Sequence, residues 1–306
     1  MQINMLLTSC ILVFSDKNYN NNQFIQVFLL DDLLINGRHR RIEDIAIREY
    51  DGRLTNAASI YSLFIQRVLK LTDIGPFAVA SMVLEISPEK QNATKVDTTL
   101  LPLNHSKILI PYIQAMVAAP FALEAIQMEK NGKIWNILEI GLGTGILNGF
   151  LHNIFSSMNI TAIELERGMY EIAKKYFGLI EDNYQRVIIE DGIQYLQRIS
   201  SEPKYDVIFI DACYDKIIAD VICPVETFML KQNLKIVKKA LTKNGIIVLS
   251  ILTFDEKELR KIKFKLNFRN FQVLACGEYR TSKVEFVRKL EEIYKKFGFD
   301  SQPNIE

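Results

Sequence analysis

Three glycines and a carboxylate stand together in the stretch NILEIGLGTGILNGF. Gly141, Gly143 and Gly145 follow a GxGxG pattern, and Glu139 lies just ahead of them at the end of an apolar run. Glycines in a turn let the backbone approach a ligand closely and adopt positive φ. The spacing differs from the GxGxxG of dinucleotide-binding proteins and weighs against a pyrophosphate seated on the following helix.

Further acids follow the next three apolar runs. Glu164 lies in NITAIELE, Asp191 and Gly192 follow QRVIIE, and Asp211 closes YDVIFID. An acid after the second strand of such a sheet is placed to accept both hydroxyls of a ribose. The Asp-Gly pair could hold an adenine edge through a side-chain acceptor and a backbone N–H. Each acid also has a structural interpretation, since Asp-Gly forms turns and acids cap helices. Their occurrence at consecutive strand ends favours one shared ligand site.

The elements that must position these residues alternate between strand and helix after Ile134. Near-continuous apolar strands separated by helical segments predict a parallel sheet covered on both faces. The fold class is therefore α/β, a Rossmann-like, doubly wound and mostly parallel sheet whose ligand binds beyond the carboxyl ends of the strands. At the end of the chain, FQVLACGEYRTSKVEFVRK predicts two strands joined by a short turn, an antiparallel hairpin at the sheet edge.

The part of the chain before the alternation has a different character. Residues 23–71 form extended segments that end at Asn-Gly and Asp-Gly turn signals, which predicts a small antiparallel β region. Residues 87–99 are polar and indicate a linker, and residues 108–128 have a helical pattern interrupted by proline. We expect an N-terminal β region over 1–100 and a ligand-binding domain over 101–306.

Composition excludes several classes of partner. The 306 residues are 49% hydrophobic, and 37 Lys and Arg nearly balance 36 Asp and Glu. No global field therefore indicates a nucleic acid or an anionic membrane. The stretch from about Lys257 is locally basic; we interpret it as a solvated helix face, with an acidic partner as the alternative.

The cysteines and histidines show no ligand spacing. None of the four cysteines forms a CxxC pair and the three histidines are scattered, so we expect no zinc site, no disulfide framework and no structural metal. These residues are Cys10, Cys213, Cys223, Cys276, His39, His105 and His152.

The amino terminus has two interpretations. Residues Met5 to Ser15 are apolar, too short to span a bilayer, and lack a preceding basic residue. We expect a first β-strand in a cytoplasmic protein; the alternative is a secretory signal.

The motifs ILEIGLGTG, AIELE, IIEDG and YDVIFIDA resemble the successive motifs of class I S-adenosylmethionine-dependent methyltransferases, and most closely the spermidine-synthase-like branch. That branch carries a small β region before its Rossmann-like domain. The resemblance implies that S-adenosylmethionine is the cofactor and that Glu139 meets its ammonium, directly or through water. The residues implied to contact the cofactor are Glu139, Gly141, Gly143, Thr144 and Gly145 around the methionine moiety, Glu164 at the ribose, Asp191 and Gly192 at the adenine, and Asp211 facing the same crevice.

Two departures favour methyl transfer over aminopropyl transfer. Spermidine synthases usually carry an acid at the position of Thr144, where it binds the amine of the decarboxylated cofactor; a neutral Thr144 leaves room for the cofactor's carboxylate. Their polyamine-binding run of acids and serines is replaced here by Asp211-Ala-Cys-Tyr-Asp215, with Asp215 displaced by one residue. The FIDA motif is also similar to cation-dependent O-methyltransferases, but no Asp-Asn pair follows the next strand, so we expect no catalytic metal.

Asp211 and Tyr214 are the candidate catalytic residues. Asp211 could take a proton from an ammonium or hold the neutral amine in line. Tyr214 could line the acceptor pocket by packing or a cation–π contact, although a plain loop role is equally compatible for Tyr214 and Asp215. The segment Asn104 to Gln114 is expected to wall the acceptor side. The family often has an acid where Asn104 stands.

Relatives of this branch methylate a lysine or the amino terminus of translation elongation factor 1-alpha. The resemblance thus implies a protein amine as acceptor, with a translation factor among the candidates, and it allows a homodimer. An aminopropyltransferase and a non-catalytic binding relative are the alternatives.

Overall fold

Two β-sheets organise the protein, as a computed structural model shows for the part of the chain that it describes. One sheet has eight strands and is mostly parallel, and the other has four antiparallel strands. The described residues are 10–16, 24–35, 38–55, 58–71, 78–91, 96–128, 132–155, 158–199, 204–215, 221–253, 271–277 and 281–299.

The large sheet is doubly wound. Its strands are β1 (Cys10–Asp16), β6 (Trp135–Ile140), β7 (Met158–Glu164), β8 (Gln185–Ile189), β9 (Tyr205–Ile210), β10 (Val221–Cys223), β11 (Leu241–Thr253) and β12 (Phe271–Gly277). The order is β1-β12-β11-β9-β6-β7-β8, with β10 paired to β11. Strands β6, β7, β8, β9 and β11 run parallel, whereas β12 and β1 continue the sheet antiparallel. The order reverses between β6 and β9, which is where such sheets bind ligands.

Helices cover both faces of this sheet. They are α1 (Pro111–Ala122), α2 (Ile146–Ile154), α3 (Arg167–Tyr176), α4 (Gly192–Arg198), α5 (Lys231–Ala240) and α6 (Lys283–Phe297). Alternate strand residues enter opposite cores: Ile137 packs with α1, α2 and α6, and Leu138 packs with α4 and α5. The predicted fold class is confirmed. None of the helices in the described ranges combines the length and apolarity of a membrane span.

The small sheet is the predicted antiparallel β region. It consists of β2 (Phe24–Ile35), β3 (Arg38–Thr55), β4 (Ala58–Leu71) and β5 (Ala78–Leu84), in sequence order. Strand β1 is not part of it, because β1 pairs with β12 in the large sheet. The proposed division at about residue 100 falls in the segment that joins β5 to α1, and it stays a prediction.

A buried ion pair attaches the small sheet to the rest of the molecule. Arg67 on β4 donates to both carboxylate oxygens of Asp44 on β3, at 2.8 and 3.0 Å. The same guanidinium donates to the carbonyl oxygen of Tyr176 at 3.1 Å, at the end of α3. A bidentate pair with further acceptors orients both partners. The small sheet is therefore held in a defined position beside α3.

The predicted hairpin at the end of the chain is wrong in its second half. Phe271–Gly277 is a strand, but Lys283–Phe297 is helix α6. Ser282 caps this helix by accepting from the backbone N–H of Glu285 at 3.2 Å. The buried residues recur with helical rather than alternating spacing, at Phe286, Leu290, Ile293 and Tyr294. The antiparallel edge is formed instead by β12 with β11 and β1.

Candidate functional site

The carboxyl ends of β9, β6, β7 and β8 lie side by side at one edge of the large sheet. Backbone hydrogen bonds continue beyond the strands: Gly141 N–H donates to Ile163 O at 2.9 Å, and Asp211 N–H donates to Ile140 O at 2.9 Å. The fold thus brings the four predicted acids to a common edge. They are Glu139, Glu164, Asp191 and Asp211.

The glycine turn lies directly against the end of β9. A Cβ at Gly141 would stand 2.6 Å from the carbonyl oxygen of Asp211, so only glycine permits this approach. Gly143 has φ +54°, yet a Cβ there would meet nothing within 4 Å. Thr144 is buried next to it, and Gly145 begins α2 as its N-cap with φ +77°. The tip of the turn therefore borders open space at the predicted methionine position.

Glu139 is a buried acid with an unsatisfied oxygen. Its side chain is 2% exposed, and among the described residues its Oε2 has no hydrogen-bond partner. Burial raises the pKa of this carboxyl well above its ordinary value, and the negative charges of Asp211 and Glu164 raise it further. A buried polar atom without a partner is costly. The position fits a ligand cation, which would satisfy the oxygen and stabilise the ionised form.

Glu164 holds the glycine turn in this structure. Its Oε2 accepts from the backbone N–H groups of Leu142 at 3.1 Å and Gly143 at 3.3 Å, and its Oε1 accepts from Glu166 N–H at 2.8 Å. Burial raises the pKa of Glu164, while the amides of Glu166 and Gly143 oppose that rise. A carboxylate oxygen can accept more than one hydrogen bond. The predicted contact with a ribose is compatible with this geometry and stays a prediction.

Asp191 and Gly192 begin helix α4. Asp191 is its N-cap, and its Oδ1 accepts from Ile193 N–H and Gln194 N–H, both at 2.9 Å. A Cβ at Gly192 would lie 2.6 Å from a side-chain carbon of Ile140. Both residues thus have structural roles at the correct edge of the sheet. Their predicted contact with adenine stays a prediction.

Asp211 is joined by two hydroxyl groups. Tyr112 donates to its Oδ2 at 3.2 Å, and Ser250 donates to its Oδ1. Burial raises the pKa of Asp211 to about 6, although the hydrogen bonds from Ser250 and Tyr112 act to lower it. Burial, and then the charge of Asp211, raise the pKa of Tyr112 well above its usual range. A carboxylate with a pKa near neutrality is suited to exchanging a proton with a bound amine.

Tyr112 and Ser250 were not among the predicted site residues. Tyr112 lies in the first turn of α1, within the segment Asn104 to Gln114 that was expected to wall the acceptor side. Ser250 is a fully buried polar residue in the apolar run IIVLSIL of β11. A hydroxyl in such a run was the available signal, because a buried polar group requires a partner.

Tyr214 makes hydrogen bonds to Ile222 and Glu226. Its hydroxyl accepts from the backbone N–H of Glu226 at 3.2 Å, and its own N–H donates to Ile222 O at 2.9 Å. The geometry thus gives Tyr214 a role in the loop, and a catalytic role stays a prediction. Asn104 likewise makes local bonds, with its Oδ1 accepting from Ser106 N–H at 2.9 Å.

The expectation that the cysteines do not pair is wrong. Cys213 and Cys223 form a disulfide across ten residues, and Cys276 is also disulfide-bonded. Local spacing gave no signal because β10 runs antiparallel to β11 and returns Cys223 to the end of β9. The Sγ of Cys213 lies 3.8 Å from Asp211 Oδ1. The two sulfur atoms and Asp211 are also close enough to share a metal ion, but the sulfur atoms are joined to each other.

The fold and the strand-end acids resemble those of class I S-adenosylmethionine-dependent methyltransferases, and comparisons with known proteins agree with that resemblance. Residues 125–270 match the model of the spermine/spermidine synthase domain. Human methyltransferase-like protein 13, solved in complex with S-adenosylhomocysteine, superposes with a TM-score of 0.53 and 22% identity over 64% of this chain and 96% of that one. This likeness shows the fold. The chain is similar to the spermidine-synthase-like branch, and the resemblance seen in its motifs is confirmed.

The relatives that match part of this chain carry two different names. The eEF1A lysine and N-terminal methyltransferase of Bos taurus is 33% identical over 187 residues, which are 53% of this chain and 26% of that protein. The polyamine aminopropyltransferase of Clostridium botulinum is 28% identical over 127 residues, 40% of this chain and 42% of that enzyme. The chain thus spans about a quarter of the length of the eEF1A methyltransferases that it matches.

Proposed function

We propose that this protein is an S-adenosylmethionine-dependent methyltransferase whose acceptor is an amine on a protein. The observation that carries the proposal is the buried Glu139, whose Oε2 lacks a hydrogen-bond partner in the described structure beside the glycine turn. Asp211 and Glu164 lie close enough to raise its pKa, so the edge concentrates negative charge. The ammonium and sulfonium of the cofactor would neutralise that charge.

The residues present fit this cofactor. Glu139 would bind the ammonium, and the open space at Gly143 leaves room for the methionine chain. Thr144 is neutral and does not repel a carboxylate. Glu164 would accept from the ribose hydroxyls, and the start of α4 at Asp191 would flank the adenine. When bound, S-adenosylmethionine supplies an electrophilic methyl carbon attached to a positively charged sulfur.

Asp211 would prepare the acceptor. An amine that arrives as an ammonium must lose one proton before its lone pair can form the new N–C bond as the S–C bond breaks. With a pKa of about 6, Asp211 is mostly ionised at neutral pH and can take that proton before passing it to solvent. Tyr112 and Ser250 hold the carboxylate in one orientation. Much of the acceleration would come from holding the amine in line.

The acceptor class rests on the relatives. The matching proteins are named for methylation of a lysine and the amino terminus of eEF1A. We therefore propose a protein amine, and elongation factor 1A is the first acceptor to test.

The test is transfer of a tritiated methyl group. Wild-type protein should label purified elongation factor 1A, or a discrete band in a lysate, and Asp211→Asn should reduce the rate of labelling by about 10²-fold or more. Calorimetry with S-adenosylhomocysteine provides the control for a functional cofactor site. Wild-type protein that binds this nucleoside yet labels no band in either preparation would count against the proposal.

Aminopropyl transfer is the second candidate, favoured by the domain match and by the Clostridium relative. The two functions differ in the carboxylate of the cofactor. Neutral Thr144 favours the carboxylated form, and we expect calorimetry to give tighter binding of S-adenosylmethionine than of its decarboxylated analogue. Tighter binding of the decarboxylated analogue would make aminopropyl transfer the favoured function.

The cellular location is the remaining proposal. We infer a cytoplasmic protein because the proposed acceptor is a translation factor. The bond between Cys213 and Cys223 opposes this inference, since disulfides persist mainly in oxidising compartments. Fractionation of cells that express a carboxyl-terminally tagged chain should recover it in the cytosol. Recovery in the secretory pathway would support the alternative of an amino-terminal signal.

A further inference from the structure

The hairpin formed by β2 and β3 reaches the candidate site. Ile35 ends β2 beside the first turn of α3, where a Cβ on Gly168 would lie 2.5 Å from the Ile35 side chain. Arg38 begins β3, and Arg40 follows it with only 2% of its surface exposed. The small sheet thus places two guanidinium groups against the edge that carries the acids.

These arginines pair with acids from two different loops. Arg38 forms an ion pair with Asp215, and Nη2 of Arg40 lies 3.7 Å from Asp215 Oδ2 and 3.6 Å from Glu166 Oε2. Asp215 retains 30% of its side-chain exposure and Arg38 retains 21%. Two cations therefore compensate the charge of Asp215 in a partly desolvated position.

The loops are those that border the proposed site. Glu166 follows Glu164 on the cofactor side, and Asp215 follows Asp211 on the acceptor side. In spermidine synthases, which the motifs of this chain resemble, the acid that binds the second ammonium of a diamine follows the residue that matches Asp211, and Asp215 stands one residue away from that position. Here Asp215 already has two partners from the small sheet.

We propose that Arg38 and Arg40 set the acceptor specificity through Asp215, by neutralising the carboxylate that would otherwise hold the distal ammonium of a diamine. The proposal rests on the proposed methyltransferase function and narrows its substrate class. A polyamine that approaches Asp211 finds Asp215 already paired with two guanidinium groups, and its distal ammonium would have to compete with them for the same carboxylate. An amine on a protein chain need not carry a second cation at that distance. The acceptor is therefore a protein amine and not a free polyamine.

The test is calorimetric titration of putrescine into protein saturated with S-adenosylhomocysteine. Arg38→Gln removes the exposed member of the pair and leaves buried Arg40 in place. We expect this variant to bind putrescine about two- to fivefold more tightly than wild type, the size of one partly exposed ion pair with an ammonium. Arg38→Lys, which keeps the charge, should behave as wild type. Adding Asp215→Asn to Arg38→Gln should remove the gain.

The outcomes separate the two proposals. If wild type and Arg38→Gln both bind S-adenosylhomocysteine but bind putrescine equally, the specificity role is refuted and the methyltransferase proposal stands. A gain that survives Asp215→Asn would also refute it, since the effect would not act through Asp215. If wild type binds no S-adenosylhomocysteine, the proposed function fails and the specificity role fails with it. The melting temperature of each variant with and without the nucleoside shows that the variants are folded.

Discussion

Glu139→Gln should raise the stability of the protein and weaken its binding of the cofactor. The substitution keeps the shape of the side chain and removes a carboxyl whose pKa burial raises well above its ordinary value. A group with a raised folded-state pKa binds its proton more tightly in the folded protein than in the unfolded chain. Its contribution to stability is complete below the unfolded pKa of about 4.3 and declines as the pH rises towards the folded pKa. At neutral pH wild type therefore loses stability that Glu139→Gln retains.

The loss of affinity follows from one hydrogen bond. The unsatisfied Oε2 of Glu139 would accept from the cofactor's ammonium. A hydrogen bond to a charged group contributes about 1.5–3 kcal/mol. Its removal weakens binding roughly ten- to a hundredfold, at 1.4 kcal/mol for each factor of ten. Binding also favours the ionised form of Glu139, so the affinity of wild type should increase with pH and that of Glu139→Gln should increase less.

Thermal unfolding and calorimetry with S-adenosylhomocysteine, each over a range of pH, measure both effects. The expected pair of results is a higher melting temperature at neutral pH, converging with wild type near pH 4, and a lower affinity. A variant that is less stable than wild type and binds the nucleoside equally well would refute the argument, because Glu139 would then be a structural residue.

Three further predictions concern neighbouring residues. Asp211→Asn should lower kcat by about 10²-fold or more with nearly unchanged binding of S-adenosylhomocysteine. The wild-type rate should fall as the pH drops through about 6, because Asp211 becomes protonated. Tyr112→Phe should shift this acidic limb of the pH–rate profile to higher pH, because the hydrogen bond from Tyr112 lowers the pKa of Asp211. A pH–rate profile of Tyr112→Phe whose acidic limb does not shift would show that Tyr112 does not influence the pKa of Asp211. Gly141→Ala should reduce the melting temperature more than Gly143→Ala. A Cβ at Gly141 would lie 2.6 Å from Asp211 O, whereas a Cβ at Gly143 would meet nothing within 4 Å. Equal reductions in the two variants would contradict the geometry of the turn. Glu164→Ala should weaken nucleoside binding by about 1–3 kcal/mol and, unlike Glu139→Gln, lower the melting temperature, because it leaves three backbone N–H groups without their acceptor.

The parallel sheet and its acidic edge were predictable from local patterns. Strands β6, β7, β8 and β9 are short apolar runs with an acid near or just after their ends, and parallel strands place such ends together. Glu139 illustrates how far this reasoning extends. The pattern located the residue at the edge, but its unsatisfied oxygen depends on packing that no local pattern specifies.

Contacts between distant segments were not predictable. Tyr112 and Ser250 reach Asp211 from 99 and 39 residues away in the chain. Arg38 and Arg40 meet Asp215 from a different sheet. Such pairs depend on how the sheets and helices dock, since neither partner carries a spacing signal.

The misassigned hairpin has a local cause. Val284 and Phe286 alternate with polar residues and imitate a short strand, but Val284 is 82% exposed and Phe286 is buried as the first member of a helical series. Ser282, three residues before Glu285, was the available helix-start signal. A short run of apolar residues cannot be assigned to a helix or a strand from its hydrophobic periodicity alone.

A crystal structure of the protein with S-adenosylhomocysteine tests the central claim most directly. We expect the amino group of the nucleoside at Glu139, its ribose at Glu164, and its sulfur facing Asp211 and Tyr112 across the end of β9. A nucleoside bound elsewhere, or a Glu139 carboxylate that remains without a ligand partner in the complex, would contradict the account.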